Sequence, residues 1–464
     1  MLVMIRSVSP IDGSVYAEVE NTSPEAARTA FAAAREAQAA WAARSVADRA
    51  AVCSAAVDAM LALEPEIVPE LAWMMGRPVS QGAGELRGFE ERARYMIEIA
   101  EEALAPVRPD PKEGFERWIA RAPLGVIFVL APWNFPYLTV VNSVIPALMA
   151  GNAVVLKHAD QTVLAGNRFA QAFAAAGLPE GLFQHLVIDH DLTAALIAEG
   201  LADQVAFTGS VAGGQAVERA AAGSFTGIGL ELGGKDAAYV LPDADVEKTA
   251  DALLDGGFFN AGQSCCAIER VYVHRDVHDA LVEAMVAIAQ RDYRLGNPLE
   301  ADTNLGPMVR ARAAGFVRGQ IEGAVGQGAQ ALLDPEQWAA DTPGTPYLAP
   351  QILTGVDHSM DVMRSESFGP VLGVMAVEDD AEAVSLMNDS PFGLTASVWG
   401  RDIARATAVC DQAEAGTVFV NRCDYLDPAL AWTGVKQSGR GATLSKIGYE
   451  TLTRPKSYHI RTVF

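Results

Sequence analysis

From Pro123 onward the chain repeats one rhythm: a short apolar run, a helical pattern, then another apolar run. The runs fall at about Val126–Leu130, Ala153–Leu156, Phe183–Val187, Val205–Phe207 and Ile228–Glu231. Helical patterns such as Thr162–Ala176 and Gly213–Ala222 separate most of them. Apolar strands that alternate with helices imply a parallel sheet with crossover helices, and such sheets bind ligands beyond the carboxyl ends of their strands. The expected class is therefore α/β with a doubly wound sheet, and the active residues are expected at the strand ends.

A chain of 464 residues also exceeds the size at which one core stops growing, so two or more domains are expected. The formal charge of −23, from 58 acidic and 35 basic residues, opposes nucleic acid and anionic membrane surfaces as partners. Five cysteines, odd in number and without metal-type spacing, argue against a disulfide framework and for a reducing, cytoplasmic setting. The seven histidines do not cluster as ligands, so no metal is expected; His274 and His278, four apart, straddle a strand-to-helix junction. No run reaches the ~18 apolar residues of a membrane span, and Met1–Arg6 is charged too soon for a signal peptide.

The first hundred residues read as helices. Ser23, Pro24 and Glu25 supply a capping hydroxyl, a proline at the first helical position and an early acid, leading into a helix to about Ala43. Further helices are expected from about Val46 to Leu63 and from about Gly82 to Ala105. Pro106, Pro109 and Pro111 then break the pattern, and Phe115–Arg121 alternates as an exposed arm or hairpin should. The tail Lys456–Arg461 alternates likewise, as an edge strand that invites a partner chain.

Four strand ends carry chemistry. Val126–Leu130 runs into Ala131-Pro132-Trp133-Asn134-Phe135-Pro136, whose prolines hold an amide that can donate to an oxyanion. Ala153–Leu156 ends in Lys157-His158-Ala159-Asp160, a cation and a carboxylate where a nucleotide ribose can sit. Val205–Phe207 ends in Thr208-Gly209-Ser210, which opens a helix and so forms an anion site. Ile228–Glu231 ends in Glu231-Leu232-Gly233-Gly234-Lys235. Taken singly, each also reads as a turn residue, a helix cap, a surface pair or a loop-bound carboxylate; jointly they point to one site. The dinucleotide fingerprint G-x-G-x-x-G is absent.

The nucleophile comes from Phe258-Phe259-Asn260-Ala261-Gly262-Gln263-Ser264-Cys265-Cys266. Gly262 lets the backbone bend close to a substrate, the phenylalanines can exclude water, and Cys265 is the candidate. Two adjacent buried cysteines are the competing, purely structural reading.

At this point the chain resembles the aldehyde dehydrogenase superfamily over nearly its whole length. The resemblance rests on Ala131–Pro136, Phe207–Ser210, Leu230–Lys235, Gly262–Cys265, Glu366-Ser367-Phe368-Gly369-Pro370 and Gly434-Val435-Lys436-Gln437-Ser438-Gly439. It implies a Rossmann-like cofactor domain (1–105 and 124–230), an α/β catalytic domain (231–440) and a small β oligomerisation arm (106–123 and 450–464), assembled as a homodimer or homotetramer. It also implies that Cys265 attacks an aldehyde, that Asn134 holds the oxyanion, and that Glu231 activates the water releasing a free carboxylic acid. Trp133, Lys157, Asp160, Gly209, Ser210, Glu366 and Phe368 are implied contacts of the dinucleotide. A carboxylate at Asp160 favours NAD over NADP by repelling a 2′-phosphate.

Two departures from the family pattern stand out. His158 replaces a usual proline and is expected to loosen its turn, and Thr443 stands where the family more often has glutamate. An aromatic entrance from Trp133, Tyr137, Phe259, Tyr425 and Trp432, and a carboxylate-greeting Arg422, are further expectations, each balanced by ordinary packing or surface exposure. A cofactor-independent cysteine hydrolase needs a histidine base, which none of the matching stretches contains, and a nucleotide-binding structural protein has no need of Asn134, Glu231 and Cys265 together.

Overall fold

The computed structural model describes residues 4–463, so the first three residues of Met1–Arg6 lie outside the described residues. The chain opens with an antiparallel pair, β1 (Met4–Val8) and β2 (Val15–Glu20), where an all-helical start was expected. The pair gains its stability from elsewhere: Ile5 is buried against Val163 and Val187, with Val19 packed beside them. A two-stranded ribbon is marginal alone, and its local signal is correspondingly weak.

Helices follow at Pro24–Ala42, Val46–Leu61, Glu64–Met75 and Val79–Glu98. Ser23 Oγ caps the first, accepting from the Ala26 amide at 3.2 Å. The third was not among the expected helices; Pro65 falls in its first turn, where proline is tolerated, and Pro69 lies inside it and forgoes one bond. These helices and later segments share one core with the first sheet, in which Phe31 meets Phe128 edge-on at 5.1 Å.

That sheet contains β4 (Val126–Leu130), β5 (Ala153–Lys157), β6 (Phe183–Leu186), β7 (Gln204–Thr208) and β8 (Gly227–Glu231), all parallel, in the order β8-β7-β4-β5-β6. The strand sequence runs outward from β4 in one direction and resumes on its other side at β7, which places a topological switch point between them. The central strands β4 and β5 are buried along their whole length, as their apolar runs required.

Four residues beyond β8 the chain enters a second sheet through β9 (Asp236–Val240). It is joined by β10 (Ile268–His274), β11 (Gln330–Ala331), β12 (Gln351–Thr354), β13 (Val371–Val377), β15 (Thr395–Trp399) and β16 (Thr417–Val420), while the short β14 (Phe392–Gly393) pairs outside it. The order is β11-β12-β13-β10-β9-β15-β16, parallel except for β11. Late in the chain β17 (Val435–Lys436) pairs with β14, and β18 (Gly439–Arg440) returns to the first sheet beside β8.

The arm is built across the sequence. Strand β3 (Phe115–Pro123) pairs in unbroken antiparallel register with β19 (Thr453–Arg461), and Trp118 stacks on Tyr458 at 4.4 Å. Local pairing within this segment accounts for only the isolated bridges Val107–Ile119 and Lys112–Phe115. The pairing joins segments far apart in the chain, so a local pattern identifies each strand without naming its partner. Among the described residues no helix is long and apolar enough to cross a membrane.

Candidate active site

The carboxyl ends of β4, β5, β7 and β8 open into one cavity of about 770 Å³, and the ten residues expected to act in catalysis or to contact the dinucleotide line it: Trp133, Asn134, Lys157, Asp160, Gly209, Ser210, Glu231, Cys265, Glu366 and Phe368. They arrive from six separate segments of the chain. After β4 the loop places Asn134 nearly buried, its side-chain Nδ2 donating to the Gln263 carbonyl at 3.2 Å. That bond ties the amide to the loop carrying Cys265.

The two neighbouring cysteines are sorted by this geometry. Cys265 faces the cavity, whereas Cys266 is buried and its Sγ donates to Asp424 Oδ1 at 2.9 Å. The Cys266 thiol is pushed well above its usual range by a hydrogen bond with Cys265, by burial and by the Asp424 charge, so it stays protonated. Cys265 is the thiol able to meet a ligand.

Glu231, at the end of β8, accepts from Thr443 Oγ1 at 2.6 Å and from Thr208 Oγ1 at 3.1 Å. Burial raises its pKa, and both hydroxyl bonds oppose that rise by stabilising the carboxylate. The carboxylate also borders a second, smaller cavity of about 80 Å³ on its other side, shared with Asn142 and Thr443. Thr443, which stands where the family more often has glutamate, thus engages the Glu231 carboxylate directly.

Glu366 sits on the loop after the helix Asp361–Arg364 and accepts from the Gly234 amide at 3.0 Å. Burial, reinforced by the Glu269 charge, raises its pKa to about 8. Its loop is fixed by the buried ion pair Lys235–Glu269: Lys235 Nζ donates to Ser367 Oγ at 2.9 Å, and Glu269 accepts from the Ser367 and Phe368 amides at 2.8 and 2.9 Å. Phe368, held with φ 51°, meets Trp133 edge-on at 5.7 Å.

At the far end, Lys157 Nζ pairs with Asp160 at 2.9 Å. Between the two ends, Ser210 caps the helix Val211–Ala221 through the Gly213 amide, leaving the first-turn amides at the cavity. Gly209 and Gly213 keep that mouth compact, since a Cβ on either would come within 2.6 Å of the Phe207 ring. A cation and carboxylate, a helix start and a second carboxylate arranged along one cavity fit an elongated dinucleotide.

Some expectations are corrected. His158 does not loosen its turn: it is buried, its Nε2 bonds the Pro136 carbonyl at 3.0 Å, and burial lowers its pKa to about 4, so a neutral ring ties β5 to the Asn134 loop. The aromatic entrance is mostly core, because Tyr137 and Trp432 are buried in the first core, while Phe259 stacks on Phe135. Arg422 lies 3.6 Å over the Tyr425 ring, and neither lines the cavity. Conversely, Arg310, Gln161, His190 and Thr193 line the cavity unforeseen. Arg310 enters from the segment between β10 and β11, just before the helix Ala311–Gly326, and no local motif marks it.

Comparison with known proteins agrees with this geometry. The profile described as "Aldehyde dehydrogenase family" matches residues 3–458. A 3,6-anhydro-alpha-L-galactose dehydrogenase of Streptomyces coelicolor is 34% identical over 98% of this chain and 92% of its own. The Escherichia coli succinate semialdehyde dehydrogenase [NAD(P)+] Sad is 33% identical over 84% of this chain and 83% of its own. Among solved structures, one reported under "Structural insights into cofactor and substrate selection by Gox0499" superposes with a TM-score of 0.94 at 34% identity, covering 99% of this chain and 100% of that one. The chain therefore belongs to the aldehyde dehydrogenase family, whose members oxidise an aldehyde to the carboxylic acid.

Proposed function

We propose that this aldehyde dehydrogenase works through Cys265 as nucleophile, Asn134 as oxyanion donor and Glu231 as general base, with NAD as its preferred cofactor. The observation that supports this most is that the three side chains, reached from separate strand ends and a remote loop, share one cavity with Ser210 and Glu366. The Cys265 thiolate bonds through Sγ to the aldehyde carbon, the carbonyl π pair moves onto oxygen, and the resulting oxyanion takes a hydrogen bond from Asn134 Nδ2. The chemistry a bound nicotinamide supplies is hydride acceptance, which leaves the acyl group on sulfur as a thioester. Glu231 then draws a proton from water, the water oxygen bonds to the acyl carbon, the C–S bond breaks, and Cys265 is restored as the acid departs. Lys157 and Asp160 would hold the adenosine ribose, Ser210 and its helix the pyrophosphate, and Glu366 the nicotinamide ribose, with Trp133, Gly209 and Phe368 shaping the channel. In this reading residues 1–105 and 124–230 bind the cofactor, 231–440 carry the nucleophile, and 106–123 with 450–464 form the arm of a cytoplasmic homodimer or homotetramer.

The two chemical steps separate by mutation. Cys265→Ala abolishes the pre-steady-state burst of NADH on mixing with an aldehyde panel, whereas Glu231→Gln retains a burst and loses steady-state turnover; a surviving burst in Cys265→Ala contradicts the assignment. Asn134→Ala lowers kcat by ~10²–10³, the usual effect of losing one oxyanion donor.

Thr443→Val removes the strongest hydroxyl support of the Glu231 carboxylate. The base works deprotonated, so a higher Glu231 pKa moves the acid limb of the kcat–pH profile to higher pH; an unmoved or lowered limb argues against it.

The NAD preference is expected to be modest. Asp160 is already paired with Lys157, and Arg310 in the same wall offers a cation to a 2′-phosphate. The ratio of kcat/KM for NAD over NADP exceeds one in the wild type and falls in Asp160→Ala; a wild-type preference for NADP refutes it.

The unextended outer edge of β19 between Arg454 and Ile460 is suited to pairing with another chain. Light scattering at micromolar concentration is expected to give a dimer or tetramer mass, and a monomer mass alone contradicts the assembly.

A further inference from the structure

Arg77 lies outside the cavity, yet it touches both loops that carry the reacting groups. It follows Gly76, whose left-handed backbone (φ 83°) ends the helix Glu64–Met75 and where a Cβ would sit 2.5 Å from the Pro307 carbonyl oxygen. The guanidinium is thereby delivered to a place where the residue is 1% exposed. There Nη1 pairs with the Glu85 carboxylate, Nη2 donates to the Asn134 carbonyl at 2.5 Å, and Nε donates to Asn260 Oδ1 at 3.3 Å. Its Cζ lies 4.4 Å from the Phe135 ring centre.

Both partners extend the grip. Glu85 accepts from the Tyr137 and Leu138 amides at 2.9 Å each, so the ion pair holds residues 134–138 at three points. Asn260 donates to the Asn134 carbonyl at 3.3 Å and to the Gln263 carbonyl at 3.2 Å, two residues before Cys265. Its segment is strained: Asn260, Ala261 and Gly262 all have left-handed φ, at 52°, 56° and 70°. Such a run persists only where its surroundings over-determine it, and Arg77 is one of those surroundings.

We propose that Arg77, fixed by Glu85, is a positioning residue that sets the separation of the oxyanion donor from the nucleophile. The inference rests on the reading of Asn134 and Cys265 given above. The planar guanidinium reaches a carboxylate, a carbonyl and an amide oxygen together, whereas an ammonium offers a point charge that satisfies Glu85 without spanning the two loops. Displacing a reacting group by about 1 Å can cost ~10²-fold in rate, so the effect belongs in kcat rather than in cofactor affinity.

The test is a double-mutant cycle of Arg77→Lys and Asn134→Ala, with kcat, KM, the NAD dissociation constant and the thermal midpoint measured for each protein. Arg77→Lys is expected to keep the midpoint and NAD affinity, change KM by less than ~3-fold and lower kcat by ~10–100-fold. In the Asn134→Ala background the same change costs less than ~3-fold, because no amide is left to misplace. Wild-type kcat in Arg77→Lys, or a loss that multiplies in full in the Asn134→Ala background, overturns the proposal. Should Arg77→Lys fail to fold, Glu85→Gln keeps an oxygen for the Tyr137 and Leu138 amides and must show the same kcat loss; wild-type kcat there overturns it too. Asn134→Ala with undiminished kcat instead removes the underlying assignment of the oxyanion donor.

Discussion

Two glycines at the crossing between the sheets make the site possible. The chain leaves β8 at Glu231 and enters β9 at Asp236, so Gly233 and Gly234 run between the Cys265 loop and the Glu366 loop. A Cβ on Gly233 would come within 2.3 Å of the Glu366 carboxylate, and one on Gly234 within 2.5 Å of the Cys265 carbonyl oxygen. Both contacts are far inside van der Waals range, so any side chain there would push apart the groups that must act together. Glu231, Cys265 and Glu366 converge because bare backbone separates them.

Convergence alone does not fix orientation, and here two buried ion pairs enter. Lys235–Glu269 holds the Ser367 and Phe368 amides, and Arg77–Glu85 holds the loop after β4. A buried pair adds little net stability over a well-packed apolar substitute, yet breaking one by removing a single partner typically costs about 3–5 kcal/mol. The return lies in geometry: each pair satisfies backbone amides that a loop of irregular shape leaves without helix or sheet partners. His158 acts in the same sense from β5, as a neutral ring bonded to the Pro136 carbonyl.

Much of this was legible in the sequence, and the residues that were not have a common physical trait. The βα rhythm located β4 to β8 because strands buried on both faces must be apolar throughout, and the motifs at their ends stood out because polar residues follow those runs directly. Ser23 announced its helix through local capping chemistry. By contrast, the packing of β1–β2 on Val163 and Val187, the pairing of β3 with β19, and the roles of Arg77 and Arg310 depend on partners far away in the chain. Periodicity reports which face of an element is buried and is silent on what buries it, which is also why Tyr137 and Trp432 read as an entrance while the structure uses them as core.

The central claim is that one sulfur carries the acyl group while a neighbouring thiol does not. Intact-protein and peptide mass spectrometry of the Glu231→Gln enzyme, quenched after mixing with aldehyde and NAD, tests it most directly. The account predicts an adduct of the aldehyde's mass less two hydrogens, sensitive to hydroxylamine and mapped to Cys265. An adduct on Cys266, or none on a variant that still forms NADH, would contradict it.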